Sequence, residues 1–446
     1  MKQVEKAPDW KENIAFAKGA ELLSDPYFRS LVNKINDEYL YWNKVKYQQS
    51  KKKVSARALW SAVKLSRSVK SREIQFGKYS FTYNLTDTIL KELHEFDSHS
   101  GRNSEAEAGI PENDKKRYLV SSIMEEAIAS SQIEGAITTR KHAKEMLRKN
   151  SKPTNKSEQM IVNNYLTIKR ILEFQNEPIT ADKLFEIHRL ITNQTLDDSA
   201  DEGRYRDNND INVIDAIDGE IVHMPPGFKT VPKLMTELIY FFNNDDPAQF
   251  IHPIIKGCIV HFMIGYIHPF VDGNGRTARA LFYWYMLKKG YWLTEYLSVS
   301  RLIIKSKTQY AQAYIYSETD DNDLTYFIKY KLKTLKQAFE SLTNYVQRQL
   351  HEKKQTTDLK KIKGINERQA LVLNWMQEDA DLLLSVKEIE TRFNISNQTA
   401  RTDLEELVRQ GYLDMIEFNK KTKGFCRGSK FEEKLKKSLQ KTTGAK

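Results

Sequence analysis

The 446-residue chain has only two cysteines, Cys258 and Cys426. They are too few and too far apart for a disulfide framework or a cysteine-ligated metal site, so reducing surroundings suit the chain. No apolar run approaches the roughly 18 to 20 residues that a membrane-spanning helix needs, which argues against a membrane-embedded protein. No repeat of fixed period and no long low-complexity tract is present, which removes solenoid and array architectures. The first residues, MKQVEKAPDWKENIAF, carry acids and proline where a signal peptide would place an apolar stretch, and a cytoplasmic location is expected. What the chain does have is 40% hydrophobic, 11% aromatic and 29% charged residues, enough to bury a core. At this length, two or three domains of roughly 100 to 200 residues are expected.

The formal net charge of +11 is unevenly placed. Between Trp42 and Lys78 eleven Lys or Arg stand against one acid, Glu73, so this stretch holds nearly the whole excess. Such a run is either a solvated basic face or a contact for an anion or nucleic acid.

Two polar stretches, Asp97 to Lys116 and about Gln347 to Gly364, read as linkers and divide the chain into residues 1–115, 116–350 and 365–446. The fold class expected is mostly α, with an N-terminal helical and basic domain, a helical core interrupted by a β-hairpin, and a C-terminal winged helix-turn-helix. In the first part the periodicity predicts helices over Tyr27 to Tyr47, Ala56 to Val69 and Thr86 to Phe96, and a short strand over Tyr79 to Tyr83. In the middle, Ser122 and Glu125 have the spacing of a capping box and are expected to open a helix over about 121–135, ending near Gly135. Helical spacing returns over Met160 to Phe174, Ala181 to Asn193, Lys233 to Phe242 and Ile254 to Ile267. Ile211 to Gly227 instead alternates β-branched residues about Asp218-Gly219 and predicts a hairpin. In the last part three helical segments, Glu367 to Glu378, Val386 to Phe393 and Asn397 to Arg409, precede a hairpin over Tyr412 to Phe425, with Ser396 as an N-cap and Gly411 as a stop.

The stretch that carries chemistry is His268-Pro269-Phe270-Val271-Asp272-Gly273-Asn274-Gly275-Arg276-Thr277-Ala278-Arg279, between two apolar helical segments. Gly273 and Gly275 let a main chain approach a ligand where the second helix begins, and its free N–H groups suit an anion. Arg276 and Arg279, three apart, add two positive forks for phosphate oxygens, and Asn274 can donate to a third. Asp272 supplies the hard oxygen that Mg2+ takes beside a polyphosphate. His268 is placed to accept a hydroxyl proton near neutral pH. The combination points to nucleotidyl or phosphoryl transfer.

These twelve residues match at every specified position the signature His-x-Phe-x-Asp/Glu-Gly-Asn-Gly-Arg-x-x-Arg, and the chain here resembles the Fic family. The resemblance covers about Arg117 to Leu350. It implies an all-helical core with a β-hairpin flap, a homodimer, and transfer of AMP from ATP, with Mg2+, to a Ser, Thr or Tyr hydroxyl of a protein, the chain itself included. It further implies that His268 deprotonates the target hydroxyl, that Asp272 holds Mg2+, and that Gly273, Asn274, Gly275, Arg276 and Thr277 cradle the phosphates while Arg279 takes the γ-phosphate. Ile211, Val213, Ile221 and His223 fall in the flap that aligns a target segment. Tyr310 resembles the tyrosine of the adenine pocket, although the aromatic and the Asn that accompany it in the family stand here as Ala311 and Ser317.

A second motif, Ser130-Ser131-Gln132-Ile133-Glu134-Gly135, matches the family's inhibitory pattern Ser/Thr-x-x-x-Glu-Gly/Asn. It implies that Glu134 pairs with Arg279 and competes with the γ-phosphate; in some relatives the same glutamate helps to remove the modification. The C-terminal module offers Gln398, Thr399, Arg401 and Thr402 at the start of its third helical segment, and Lys420, Lys421, Lys423 and Arg427 on its wing, as contacts for DNA. Its net charge from Lys360 onward is a modest +5, and winged helices also dock proteins. The competing reading of the whole chain is therefore a DNA-binding transcriptional regulator in which the Fic-like core is secondary or degenerate. His188, His252 and His261 read as satisfied core or interface histidines, and His223 as an exposed one.

Overall fold

The computed structural model describes residues 4–48, 52–100, 112–214, 219–360, 362–379, 382–419 and 422–443. They group into two compact units, Met1–Leu342 and Thr343–Lys446. No helix among the described residues is long and apolar enough to cross a membrane.

The first unit is organised around the helix Pro253–Ile267, every residue of which from Ile254 to Ile264 is buried. A helix apolar on all sides belongs in the middle of a core. It runs against the equally buried helix Asn274–Lys288, and Gly257 permits the approach: a Cβ there would lie 3.2 Å from Tyr285 and 3.3 Å from the Met286 sulfur. Helices Lys156–Phe174, Ala181–Thr192 and Val231–Asn243 surround the pair, contributing Ile168, Ile171, Leu184, Ile187, Leu234 and Leu238 to one continuous core. Trp284 locks the periphery, its indole donating to the Gln175 carbonyl at 3.0 Å with Phe174 against its ring.

The stretch 1–115, expected as a domain of its own, falls within this same unit. A buried polar network joins the two. Arg67 on the helix Ala56–Lys70 donates to the Tyr326 hydroxyl at 2.7 Å, Lys64 pairs with Asp320 at 2.8 Å, and the Tyr39 hydroxyl donates to Asp323 at 2.6 Å. The expected long helix from Tyr27 to Tyr47 is consequently broken: Pro26–Glu38 ends where Tyr39 adopts a left-handed conformation (φ 54°), and a short helix, Trp42–Val45, follows. The basic run thus turns partly inward. Lys64 and Arg67 are buried, while Lys46, Lys52 and Arg57 pair with Glu5, Asp25 and Glu12.

Two other expectations are corrected. The helix expected from about residue 121 spans Glu112–Ile133, so Ser122 lies within it and does not cap it; Glu125 pairs instead with Arg140 and Lys144. The expected linker Gln347 to Gly364 is helical as far as Lys360, in the helix Thr325–Lys360. Before Gly364 it contains Lys, Gln, Leu and Glu, all good helix formers, and neither Gly nor Pro.

The second unit has the expected order of three helices, Glu367–Glu378, Val386–Phe393 and Asn397–Arg409, with capping boxes at Asn366 and Ser385 and an N-cap at Ser396. A three-stranded antiparallel sheet completes the winged helix-turn-helix, ordered Leu384–Ser385, Thr422–Arg427, Leu413–Asn419. A further helix, Phe431–Thr443, puts Phe431 and Leu435 into the core formed by Leu373, Leu404 and Leu407.

Candidate active site

His268 ends the helix Pro253–Ile267 in a left-handed conformation (φ 50°), which turns the chain sharply into the loop. Its Nδ1 lies 3.2 Å from the Gly265 carbonyl. A carbonyl only accepts, so Nδ1 carries the proton and Nε2 is left with the lone pair. Burial, helped by the cationic neighbours His223 and Arg206, brings the imidazole down to about 4. At neutral pH it is an uncharged base.

The loop is held from inside. Asn274 Oδ1 accepts from the Phe270 N–H at 2.9 Å and its Nδ2 donates to the Phe270 carbonyl at 2.8 Å. Asn274 was expected to donate to phosphate; both ends of its amide are committed to the loop's own main chain, so it shapes the loop. Gly273 sits at φ 81°, where a Cβ would come within 2.9 Å of Thr192, and begins the helix Asn274–Lys288. Asp272 takes the Gly273 N–H on Oδ1 at 2.5 Å and Arg276 Nη2 on Oδ2 at 3.1 Å, with its side chain still 53% exposed. Arg276, itself buried, donates from Nη1 to the Ile191 carbonyl at 3.0 Å and leaves Nε without a partner. Thr277 is fully buried, with no hydrogen-bond partner on its hydroxyl.

Arg279 meets the helix Glu112–Ile133 and the turn after it. Its Nε donates to Ser130 Oγ at 2.8 Å, and its Nη2 to the Ser130 carbonyl at 2.9 Å and to Glu134 Oε1 at 2.8 Å. Burial works against the charge, yet Glu134, together with Tyr310 and Glu126, holds the guanidinium above its ordinary range. Nη1 is buried without a partner. Glu134 lies so close over the start of the helix Asn274–Lys288 that a Cβ on Gly275 would collide with its carboxylate. Gly135 takes φ 94° with open space around it, so its part is to let the helix end.

The hairpin pairs Val213 with His223 and Ile214 with Ile221; residues 215–218, including Asp218 of the expected turn, lie outside the described residues. Ile211 precedes the first strand and is half-buried. His223, expected to be exposed, is largely buried: Nε2 donates to the Tyr266 carbonyl at 2.7 Å and Nδ1 meets Glu318 Oε2 at 2.6 Å. Burial disfavours its charge, but Glu318 more than compensates and raises its pKa. Tyr310 packs among Tyr314, Phe327 and Tyr330, its hydroxyl 2.8 Å from His261 Nε2.

The middle of the chain, residues 178–286, matches the family model of the Fic/DOC family. It is a Fic domain. Residues 368–416 match the DeoR-like helix-turn-helix domain. Among curated relatives, the protein adenylyltransferase Fic of Nematostella vectensis is 34% identical over 117 residues, 26% of this chain and 25% of that one. That of Drosophila melanogaster is 31% identical over 117 residues, 26% and 22%. The match thus spans about a quarter of the length of these relatives. The crystal structure of a Fic family protein from Desulfovibrio desulfuricans G20 shares the fold, with a TM-score of 0.51 and 22% identity over 78% of this chain and 98% of that one.

Two residues of the Fic domain that matter to the loop escape a reading of the sequence. His188 stacks on Phe270 (centroids 3.8 Å apart), takes the Gly203 N–H on Nδ1 and gives its Nε2 proton to the Asp272 carbonyl. Its place on the apolar face of a helix marked it as a satisfied histidine, which it is; what satisfies it is the loop. Arg206 lies in a polar run without periodicity, so nothing in the pattern set it apart.

Of the described residues, no group of three or more His, Cys, Asp or Glu is arranged to hold a metal. The half-exposed carboxylate of Asp272 fits a Mg2+ ion that draws its other ligands from phosphate and water, as such ions commonly do. The unpartnered Arg279 Nη1, 3.2 Å from a Cβ position on Gly275, fits an anion at the same loop.

In the second unit, Gln398, Arg401 and Thr402 are exposed on one face of the helix Asn397–Arg409, while Thr399 is half-buried, its backbone N–H bonded to Ser396 Oγ. Lys420 and Lys421 lie outside the described residues, and Lys423 falls in the strand Thr422–Arg427. Arg427, placed on the wing, turns inward and donates to the carbonyls of Met376 and Gln377.

Proposed function

We propose that this protein transfers AMP from ATP to a hydroxyl of a protein and that Glu134 restrains it. The observation that carries the reading is the neutral imidazole of His268, with Nε2 free to accept, at one end of a loop whose other end is a buried arginine already held by a carboxylate. His268 takes the proton of a Ser, Thr or Tyr hydroxyl. The oxygen forms a bond to the α-phosphorus, the bond from that phosphorus to the bridging oxygen breaks, and pyrophosphate leaves. The main-chain N–H at Gly275 and the unpartnered donors Arg276 Nε and Arg279 Nη1 hold the phosphate oxygens, while the Gly273 N–H stays on Asp272. Mg2+ on Asp272 supplies charge neutralisation beside the phosphates when bound. Glu134 occupies Arg279 and covers the start of the helix where the phosphates would sit.

The test is ATP labelled at the α-phosphate, given to the wild type, to Glu134→Gly and to the double variant carrying Glu134→Gly and His268→Ala. Labelled protein should increase in Glu134→Gly and vanish in the double variant. Equal labelling of wild type and Glu134→Gly removes the restraint, and label surviving His268→Ala removes the base.

A second reading concerns the second unit. Its match to a helix-turn-helix domain and the exposed polar face of Asn397–Arg409 favour duplex DNA in a major groove. Arg401→Ala should lower retention on DNA and leave AMP transfer unchanged.

A further inference from the structure

Arg206 is 3% exposed, and its donors all end on main-chain carbonyls: Nε on His268 at 2.9 Å, Nη1 on Asn208 at 2.8 Å, and Nη2 on Pro226. Its own backbone N–H donates to the Pro269 carbonyl at 2.9 Å. No carboxylate is among these hydrogen-bond partners. Burying a cation without a counter-ion is unfavourable, and filling the same space with an apolar side chain would avoid the penalty. A planar fork, however, can span three main-chain segments at fixed angles, which neither lysine nor an apolar residue can do. The segments it spans are the turn at His268, the approach to the hairpin, and the hairpin's exit at Pro226.

A second link lies alongside. His223, on the hairpin's second strand, donates to the Tyr266 carbonyl, two residues before His268, and is held in place by Glu318 on the helix Lys307–Thr319. The carbonyls of Tyr266, His268 and Pro269 are therefore all bonded to the hairpin or its approach.

We propose that Arg206 is a positioning residue which, with His223, joins the His268 turn and the hairpin into one rigid piece. The base and the strand that would present an acceptor hydroxyl then keep a fixed separation. This rests on the AMP-transfer reading for its consequence, though not for the link itself. ATP is bound by the loop N–H groups and by Arg276 and Arg279, which Arg206 does not touch. Loss of the link should therefore lower turnover and leave the KM for ATP nearly unchanged.

The test uses the full chain in the Glu134→Gly background. Arg206→Lys keeps the charge and loses the fork. Its kcat for transfer to protein should fall roughly a hundredfold, as expected for a misplaced reacting pair, while the KM for ATP stays within about twofold. Hydrogen exchange followed by mass spectrometry should show 221–227 and 264–270 losing protection together. An unchanged kcat, a KM that rises in step with the loss, or loosening of one segment alone overturns the proposal. Should Arg206→Lys fail to fold, His223→Gln must loosen both segments, and loosening of 221–227 alone overturns it. If the Glu134→Gly parent transfers no AMP, it is the functional reading that fails, and the exchange result still decides the link.

Discussion

The loop from His268 to Arg279 and the hairpin tied to it are built on opposite terms. In the loop, Asn274, Arg276, Thr277 and Arg279 are buried, and all but Thr277 are fixed by hydrogen bonds to neighbouring main chain or side chains. In the hairpin, Ile214 is 59%, Ile221 56% and Met224 75% exposed, while His223 is anchored on the Tyr266 carbonyl and the exit at Pro226 is held by Arg206. On the AMP-transfer proposal the difference separates two tasks. A loop that must hold phosphates at one geometry gains from preorganisation, whereas a short strand with open apolar side chains can accept a segment of another chain by main-chain pairing.

This contrast can be broken by substitutions on each side. The largest effect is expected from His268→Ala, which should lower AMP transfer by about 10²- to 10⁴-fold in the Glu134→Gly background without changing ATP binding, read by label incorporation and by calorimetry. Asn274→Ala removes both braces on Phe270 and should lower kcat by roughly 10²-fold while His268 is intact. Wild-type turnover there would mean that the loop does not need its internal fastening. On the hairpin, Ile221→Asp should reduce transfer to protein acceptors by about tenfold and leave stability within about 0.5 kcal/mol, since the side chain is exposed. A large loss of thermal stability would show the hairpin to be core and not a docking edge.

The smallest expected effect is on the pH dependence of stability. His268 lies near 4 in the folded chain against about 6.5 when unfolded, and burial lowers His261 as well. The unfolded chain therefore binds more protons at acid pH. The contribution of these two histidines should be full above about pH 6.5 and decline as pH falls from there toward 4, while His223, whose pKa is raised, contributes in the opposite sense. Thermal midpoints at pH 7 and pH 5 measure it, and a His268 imidazole resonance titrating near 6.5 would contradict its burial.

Much of the site was legible because it is contiguous. Residues 268–279 carry the loop, both arginines and the base in twelve positions, and the glycines mark the backbone approach directly. The six residues from Ser130 to Gly135 were legible for the same reason. Legibility failed where the partner lies far along the chain. Asn274 looked like a phosphate donor because its commitment to Phe270 depends on loop curvature. His223 looked exposed because Glu318, 95 residues away, cannot be inferred from alternation in a strand. Ser122 and Glu125 had capping spacing, yet Arg140 and Lys144 claim the glutamate.

Local sequence alone therefore determined the helical core, the hairpin, the winged module and the chemical character of the loop, since periodicity, turn residues and motif spacing are short-range properties. Tertiary structure decided which donors remain free. It committed Asn274 and Arg206 to carbonyls, set Glu134 on Arg279 across 145 positions, and drew Lys64 and Arg67 of the basic run into a buried network. The physical reason is that a buried polar group must be satisfied by whatever the fold brings within about 3 Å, and that neighbour is chosen by packing, not by adjacency in the chain.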